Sequence, residues 1–249
     1  MKRMRVLIMS LATIAASQGY AIVFDCAADP AYNDGWQSGD NGGLGFGAWS
    51  LNSSSNSGHF IATSNNNGGG GGVGIDTIGV SWGMYANSGD ISSASRSILN
   101  PLAVGETFFM NFDNGWINDG SLVQTGLSMA GFGSVIRFTG GTSNYELVDT
   151  TGTATSTISF TDGGLLAEWV ITSSTSYDFR LTRLNDNAVW TTSRSIGGTA
   201  FDRFIFTNSN AGSNSPHDAF INSTGVVPEP SSLLVLGLAG VAFFVKRKR

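Results

Sequence analysis

From residue 22 to about residue 225 the chain alternates apolar and polar positions in short runs. Alternation at period two marks a strand with one face buried. Tyr177-Asp178-Phe179-Arg180-Leu181-Thr182 alternates strictly. Phe108, Met110 and Phe112 share one face, with Asn111 opposite. Leu165, Ala167, Trp169 and Ile171 line one side of 164–172, with Glu168 and Thr172 on the other. Residues 135–138, 145–148, 157–160, 188–191 and 204–207 predict further strands. Asp119-Gly120, Gly140-Gly141, Asp162-Gly163-Gly164 and Asn185-Asp186-Asn187 separate these runs with residue types that tolerate the positive φ of tight turns. Roughly a dozen strands in about 200 residues predict one all-β domain, a two-sheet antiparallel β-sandwich or jelly roll. A β-helix would need a short fixed repeat, and the sequence shows none. Asn65-Asn66-Asn67 followed by Gly68 to Gly72 reads as a flexible surface loop.

The pattern changes at both ends. Residues 1–21 read as a secretory signal peptide. Lys2, Arg3 and Arg5 precede an apolar stretch from Val6 to Ala16, and Gly19-Tyr20-Ala21 places small residues before a cut expected after Ala21. Cys26 follows Asp25 rather than a small residue, so lipid attachment there is not expected. At the other end Pro228-Glu229-Pro230 leads through Ser231 and Ser232 into an uncharged run, Leu233 to Val245, and then Lys246-Arg247-Lys248-Arg249. A helix over 231–245 would be about 22 Å long against a hydrocarbon core of about 30 Å. Snorkelling cations and local bilayer thinning make up the difference, so a transmembrane helix is expected. The terminal cations should stay cytoplasmic, which puts the bulk of the chain across the inner membrane.

Pro-Glu-Pro, an apolar helix and a basic cluster, in that order at the end of a chain that starts with an export signal, resemble the PEP-CTERM sorting signal of Gram-negative bacteria. The resemblance covers residues 226–249. It implies processing by an exosortase near Pro228-Glu229-Pro230 and delivery to the cell surface or an exopolysaccharide matrix. Similar tails are also labelled the C-terminal domain of ice-binding proteins, a label that describes the tail only. The body, with blocks such as Tyr32-Asn33-Asp34-Gly35-Trp36 and Ser81-Trp82-Gly83-Met84-Tyr85-Ala86, loosely resembles uncharacterised β-sandwich passengers of that group.

Composition narrows what the body can do. Of 13 Lys and Arg, seven belong to the two ends; those left are Arg96, Arg137, Arg180, Arg183, Arg194 and Arg203. All but Glu229 of the 18 acids lie in the body, which therefore carries a formal charge of −11. Such a body repels phosphate, so nucleic acid is not an expected partner. One Cys excludes a disulfide framework within the chain, and two His leave little room for histidine chemistry. His59 and His217 read as loop residues. No nucleophile motif appears, and Gly43-Leu44-Gly45-Phe46-Gly47 lacks the Lys and Ser or Thr of a phosphate loop.

Three chemistries remain to be weighed. Glu168 is the best-placed carboxylate for a paired-acid hydrolase, although on the outer side of its strand it reads as a solvent-facing residue. Asp34, Asp40 and Asn41, or Asp113, Asn114, Asn118 and Asp119, offer oxygen ligands for calcium; no other cofactor is expected. Trp36, Trp116 and Trp190 lie in or beside polar segments and are candidates for stacking on sugars. The sequence thus predicts a non-enzymatic exported protein with a structural, adhesive or glycan-associated role. The alternative is a secreted polysaccharide hydrolase or lyase on the same fold.

Overall fold

The structure is a computed structural model that describes residues 23–67, 74–130 and 132–228. The expected signal peptide, Glu229 and Pro230, the apolar run and the basic cluster lie outside the described residues. Among the described residues no helix is long and apolar enough to cross a membrane.

Two antiparallel sheets form a sandwich. In chain order the strands are β1 (Val23–Asp25), β2 (Ser50–Ser53), β3 (Ser57–Ala62), β4 (Ser81–Ala86), β5 (Ile91–Ser97), β6 (Glu106–Asn114), β7 (Leu122–Met129), β8 (Phe132–Thr139), β9 (Asn144–Asp149), β10 (Gly152–Ser159), β11 (Leu165–Ser173), β12 (Ser176–Arg183), β13 (Val189–Ser195), β14 (Arg203–Ser209) and β15 (Ala219–Pro228). One sheet has the order β13-β12-β11-β6-β15-β4-β3, and β1 also pairs with β15. The other has the order β10-β9-β8-β7-β14-β5-β2.

The alternation that predicted the central strands is what fills the interior. Phe108, Met110 and Phe112 of β6 and Leu165, Ala167, Trp169 and Ile171 of β11 are all buried, with Trp169, Ala167 and Leu165 directly opposite Phe108, Met110 and Phe112 across the ladder. They meet the opposite sheet through ring contacts, Phe108 with Phe204 at 5.7 Å and Phe112 with Phe206 at 6.3 Å. The Trp169 indole N–H spans the layers and donates to Ser134 Oγ at 2.8 Å. The outward positions mix polar and apolar residues: Asn111 and Glu168 alternate with Phe109, Leu166 and Val170. Glu168 faces its register partner Arg180 across the strand pair at 3.7 Å, with about a quarter of its side chain exposed and its Oε2 making no hydrogen bond.

Three segments depart from the expectation. His59 belongs to strand β3 rather than a loop; its Nε2 lies 3.0 Å from the Ser93 carbonyl, and burial pushes its pKa down. Ser64–Asn67 forms a 3-10 turn with Asn67 buried, so the polar triplet ends inside the protein rather than on a free loop. β15 runs on to Pro228, past the boundary at 225 that composition suggests, so the last strand of the body overlaps the tail. It reaches that far by absorbing a bulge at Ser223, whose φ is +47°, between its pairings at Asn222 and Gly225.

The N-terminal 27 or so described residues wrap the side of the sandwich as a strap. β1 zips onto β15, Val23 opposite Val226 and Asp25 opposite Thr224. Leu44 then bridges back to Phe24, and Phe46 to Ile98. Beneath the strap the Arg96 side chain of β5 is wholly buried between the rings of Phe46 and Trp49. All its donor groups are engaged: Nε with the Gly47 carbonyl at 2.9 Å, Nη1 with the Asp25 carboxylate and the Tyr32 hydroxyl, and Nη2 with the Gly42 carbonyl at 3.1 Å and Asn41 Oδ1. Tyr32 also donates its hydroxyl to Asp25.

Candidate functional site

β6 runs from Glu106, opposite Pro228, to Asn114, opposite Ala219. The loop after it therefore stands at the end of the sandwich remote from Pro228. Two other connections, 210–218 and 140–143, gather there. Gly115 N–H donates to the Asp218 carbonyl, Trp116 N–H to the Pro216 carbonyl at 2.7 Å, Asn118 N–H to the Ala211 carbonyl, and Gly120 N–H to the Gly140 carbonyl. Gly115 is required for this closeness, since a Cβ there would run into the Pro216 carbonyl.

These bonds pin the Trp116 backbone while leaving the indole 62% exposed. The ring stands edge-on over Phe160 at 6.1 Å, and Phe160 packs in turn on Phe138 at 5.1 Å. A depression lies on either side of the pair. One, of about 230 Å³, is lined by Asn67, Gly115, Trp116, Phe160, Asp162 and Pro216. The other, of about 190 Å³, has Asp119, Gly141 and Thr142 on its rim. Both are smaller than the roughly 300 Å³ at which pockets for drug-sized ligands begin. An exposed indole with amide, hydroxyl and carboxylate groups around it can stack on an apolar ring face and hydrogen-bond the ring's substituents.

The other two Trp candidates are placed differently. Trp36 is buried, its ring 5.0 Å from Trp49 and 5.2 Å from His59, and so has no face open to a ligand. Trp190 lies half-buried on edge strand β13, against Phe179 at 6.0 Å. The proposed calcium ligands do not converge. Asp113 and Asn114 are successive strand residues and project to opposite faces. Asn114 Oδ1 accepts from the Tyr145 hydroxyl at 2.8 Å, and Asn118 Nδ2 reaches Ser88. In the other set Asn41 is taken up by Arg96, while Asp40 caps the Gln37 N–H. Among the described residues no three His, Cys, Asp or Glu side chains gather to hold a metal ion.

Behind the larger depression lies a residue whose state the sequence did not reveal. Asp113 is 1% exposed; its Oδ1 accepts from Asn67 Nδ2 at 3.1 Å, and its Oδ2 makes no hydrogen bond of ordinary geometry. Burial pushes its pKa up to about 8; the Asn67 and Ser64 side chains pull the other way, and the nearby charges of Asp162 and Asp76 add to the rise. Asp218, in the adjacent loop, is pushed up to about 7 by burial. No spacing rule would have found either, since both depend on how the 3-10 turns at 64–67 and 215–217 fold over the strand ends.

Fold and tail together define an exported β-sandwich protein that is held at the membrane by its C-terminus. The tail, residues 226–249, matches the PEP-CTERM protein-sorting motif. That motif marks a protein anchored in the membrane before exosortase cleavage and then found at the surface or outside the cell. No curated protein matches the chain. Solved structures that it is similar to include a glycosyl hydrolase family protein from Mycobacterium fortuitum, at 12% identity over 63% of this chain and 78% of that one, with a TM-score of 0.45. A protein of unknown function from Shewanella oneidensis MR-1 is 14% identical over 72% and 79%, with a TM-score of 0.46. An endo-β-1,4-glucuronan lyase from the fungus Trichoderma reesei is 10% identical over 72% and 90%, with a TM-score of 0.43.

Proposed function

We propose that this is a non-enzymatic surface or matrix protein whose exposed end binds glycan, exopolysaccharide being the natural partner at its destination. In this reading residues 1–21 direct export and are cut after Ala21, an exosortase acts at Pro228-Glu229-Pro230, and Lys246 to Arg249 stay cytoplasmic until then. The observation that carries the glycan role is Trp116: a large aromatic ring, fixed by its backbone, open to solvent and flanked by two shallow polar-rimmed depressions.

A glycan array probed with the released protein, with and without calcium, tests the role. Binding to at least one neutral or acidic glycan is expected. Trp116→Ala should weaken it about tenfold, equivalent to about 1.4 kcal/mol, while leaving the melting temperature unchanged because the ring is exposed. Flat signals with and without calcium would count against glycan binding. The hydrolase or lyase alternative would have to use Asp162 at the rim with Asp113 behind it. Appearance of new reducing ends or unsaturated sugars from a polysaccharide would favour that reading instead.

A further inference from the structure

The matched sorting motif begins at residue 226, and residues 226–228 are still part of β15. Val226 is paired on one side with Phe108 and on the other with Val23; Pro228 lies opposite Glu106. No spacer separates the folded body from the tail. From Pro228 to Leu233, where the uncharged run starts, the chain advances five residues, which span at most about 17 Å when fully extended. The headgroup layer between that run and open water takes up about 5–8 Å of this distance. In the anchored state the end of the sandwich at Pro228 is therefore held within about 10 Å of the bilayer surface.

That end presents apolar side chains to solvent. Leu44 and Leu99 are each 62% exposed and Val104 is 60% exposed. All three cluster around the exit of the tail. Leu44 is bridged to Phe24, the neighbour of Gly225 in β15. Leu99 N–H donates to the Gly45 carbonyl, next to Leu44. Val104 sits two residues before Glu106, the partner of Pro228. Asp113 near the end of β6 and Asp119, Asp162 and Asp218 in the loops lie at the opposite end, with Trp116, while Glu106 opposite Pro228, Asp29, whose carboxylate accepts from the Gly43 N–H, and Asp202, whose carbonyl accepts from the Ile98 N–H, lie at the Pro228 end. Nine residues of β6 separate the two ends, roughly 30 Å of strand.

We propose that the anchored protein rests this end of the sandwich on the lipid bilayer, with Leu44, Leu99 and Val104 in the headgroup layer and the Trp116 end pointing away from it. The contact combines a tether too short to let the body drift with apolar groups that gain by leaving water. It presents the glycan-binding face outward before the tail is cut. The bilayer contact follows from the anchor and does not depend on what Trp116 binds.

Lipid-quenching of a fluorophore measures the placement directly. Full-length protein with its tail uncut, in the Cys26→Ser background, carries one bimane label at Leu99→Cys, Val104→Cys or, as the remote reference, Thr142→Cys. Each is placed in vesicles containing a headgroup-nitroxide lipid. All three positions are on the surface, so the label leaves the core intact. Quenching at 99 and 104 is expected to exceed that at 142 at least threefold. Equal quenching at the three positions, or stronger quenching at 142, would overturn the proposal.

Discussion

Replacing Arg96 with Met should cost about 3–5 kcal/mol, the range for stranding one member of a buried ion pair. For a body of this size that is a fall in melting temperature of roughly 10 °C or more. The cause is specific. Arg96 is 0% exposed and is the cation facing the buried Asp25 carboxylate, which also accepts from the Tyr32 hydroxyl and the Cys26 N–H. Without the guanidinium, Asp25 keeps its burial and loses its counter-charge. The Gly42 and Gly47 carbonyls lose their donors as well. Removing both charges, in Asp25→Asn with Arg96→Met, should recover at least half the loss, because the penalty belongs to the unpaired charge rather than to the absence of a bond. Thermal unfolding of the single and double variants measures this. A single variant within about 1 kcal/mol of wild type would mean that the strap does not depend on the pair.

Stability should also fall as pH rises from about 4 to about 8, and Asp113→Asn should remove much of that slope. In the unfolded chain Asp113 loses its proton near pH 4; in the folded protein burial keeps the proton until about pH 8. Between those values the native state holds a proton that the unfolded state has released, so each unit of rising pH favours unfolding. Over about four units, at about 1.4 kcal/mol each, the loss approaches 4–6 kcal/mol as an upper range. Asp218 acts in the same direction up to about pH 7. His59, whose pKa burial lowers, acts oppositely as pH falls below its ordinary value of about 6.5, so the wild-type-minus-variant difference is the quantity to read. Asp149 does not enter this window. Burial tends to raise its pKa, but Arg194, Thr151 and Tyr177 hold it below the usual carboxylate range, so its contribution is lost only as pH falls below about 4. The Asn variant should melt several degrees higher than wild type at pH 8.5 and close to it at pH 5. Parallel melting curves across pH 5 to 8.5 would contradict the assignment.

The central strands were legible because their inward positions are large and apolar. Phe108-x-Met110-x-Phe112 and Leu165-x-Ala167-x-Trp169-x-Ile171 declare a face whatever surrounds them. β5 hides itself: its buried positions are Ser92, Ala94 and Arg96, two small residues and a charge. Arg96 becomes a core residue only when Asp25, Tyr32 and the 41–47 segment close over it, and pattern within a window cannot see such partners. β15 hides for another reason. Asn222, Ser223, Thr224 and Gly225 interrupt its apolar run, and the bulge at Ser223 shifts its register partway along. The Trp residues show the limit for the site. Trp36 and Trp116 both sit among Gly, Asn and Asp, yet one is sealed against Trp49, Trp82 and His59 while the other stands open. The tail needed no tertiary information, because its signal is an order of three local compositions: prolines around a Glu, an apolar run, and a terminal set of cations.

Delivery to the surface depends on that tail being cut at its tripeptide, and one fractionation experiment measures it. In cells that contain an exosortase, the chain with Pro228-Glu229-Pro230 replaced by three Ala should stay full length in the membrane fraction, while the wild-type body appears shortened at the surface or in the medium. Equal release of both proteins would contradict it.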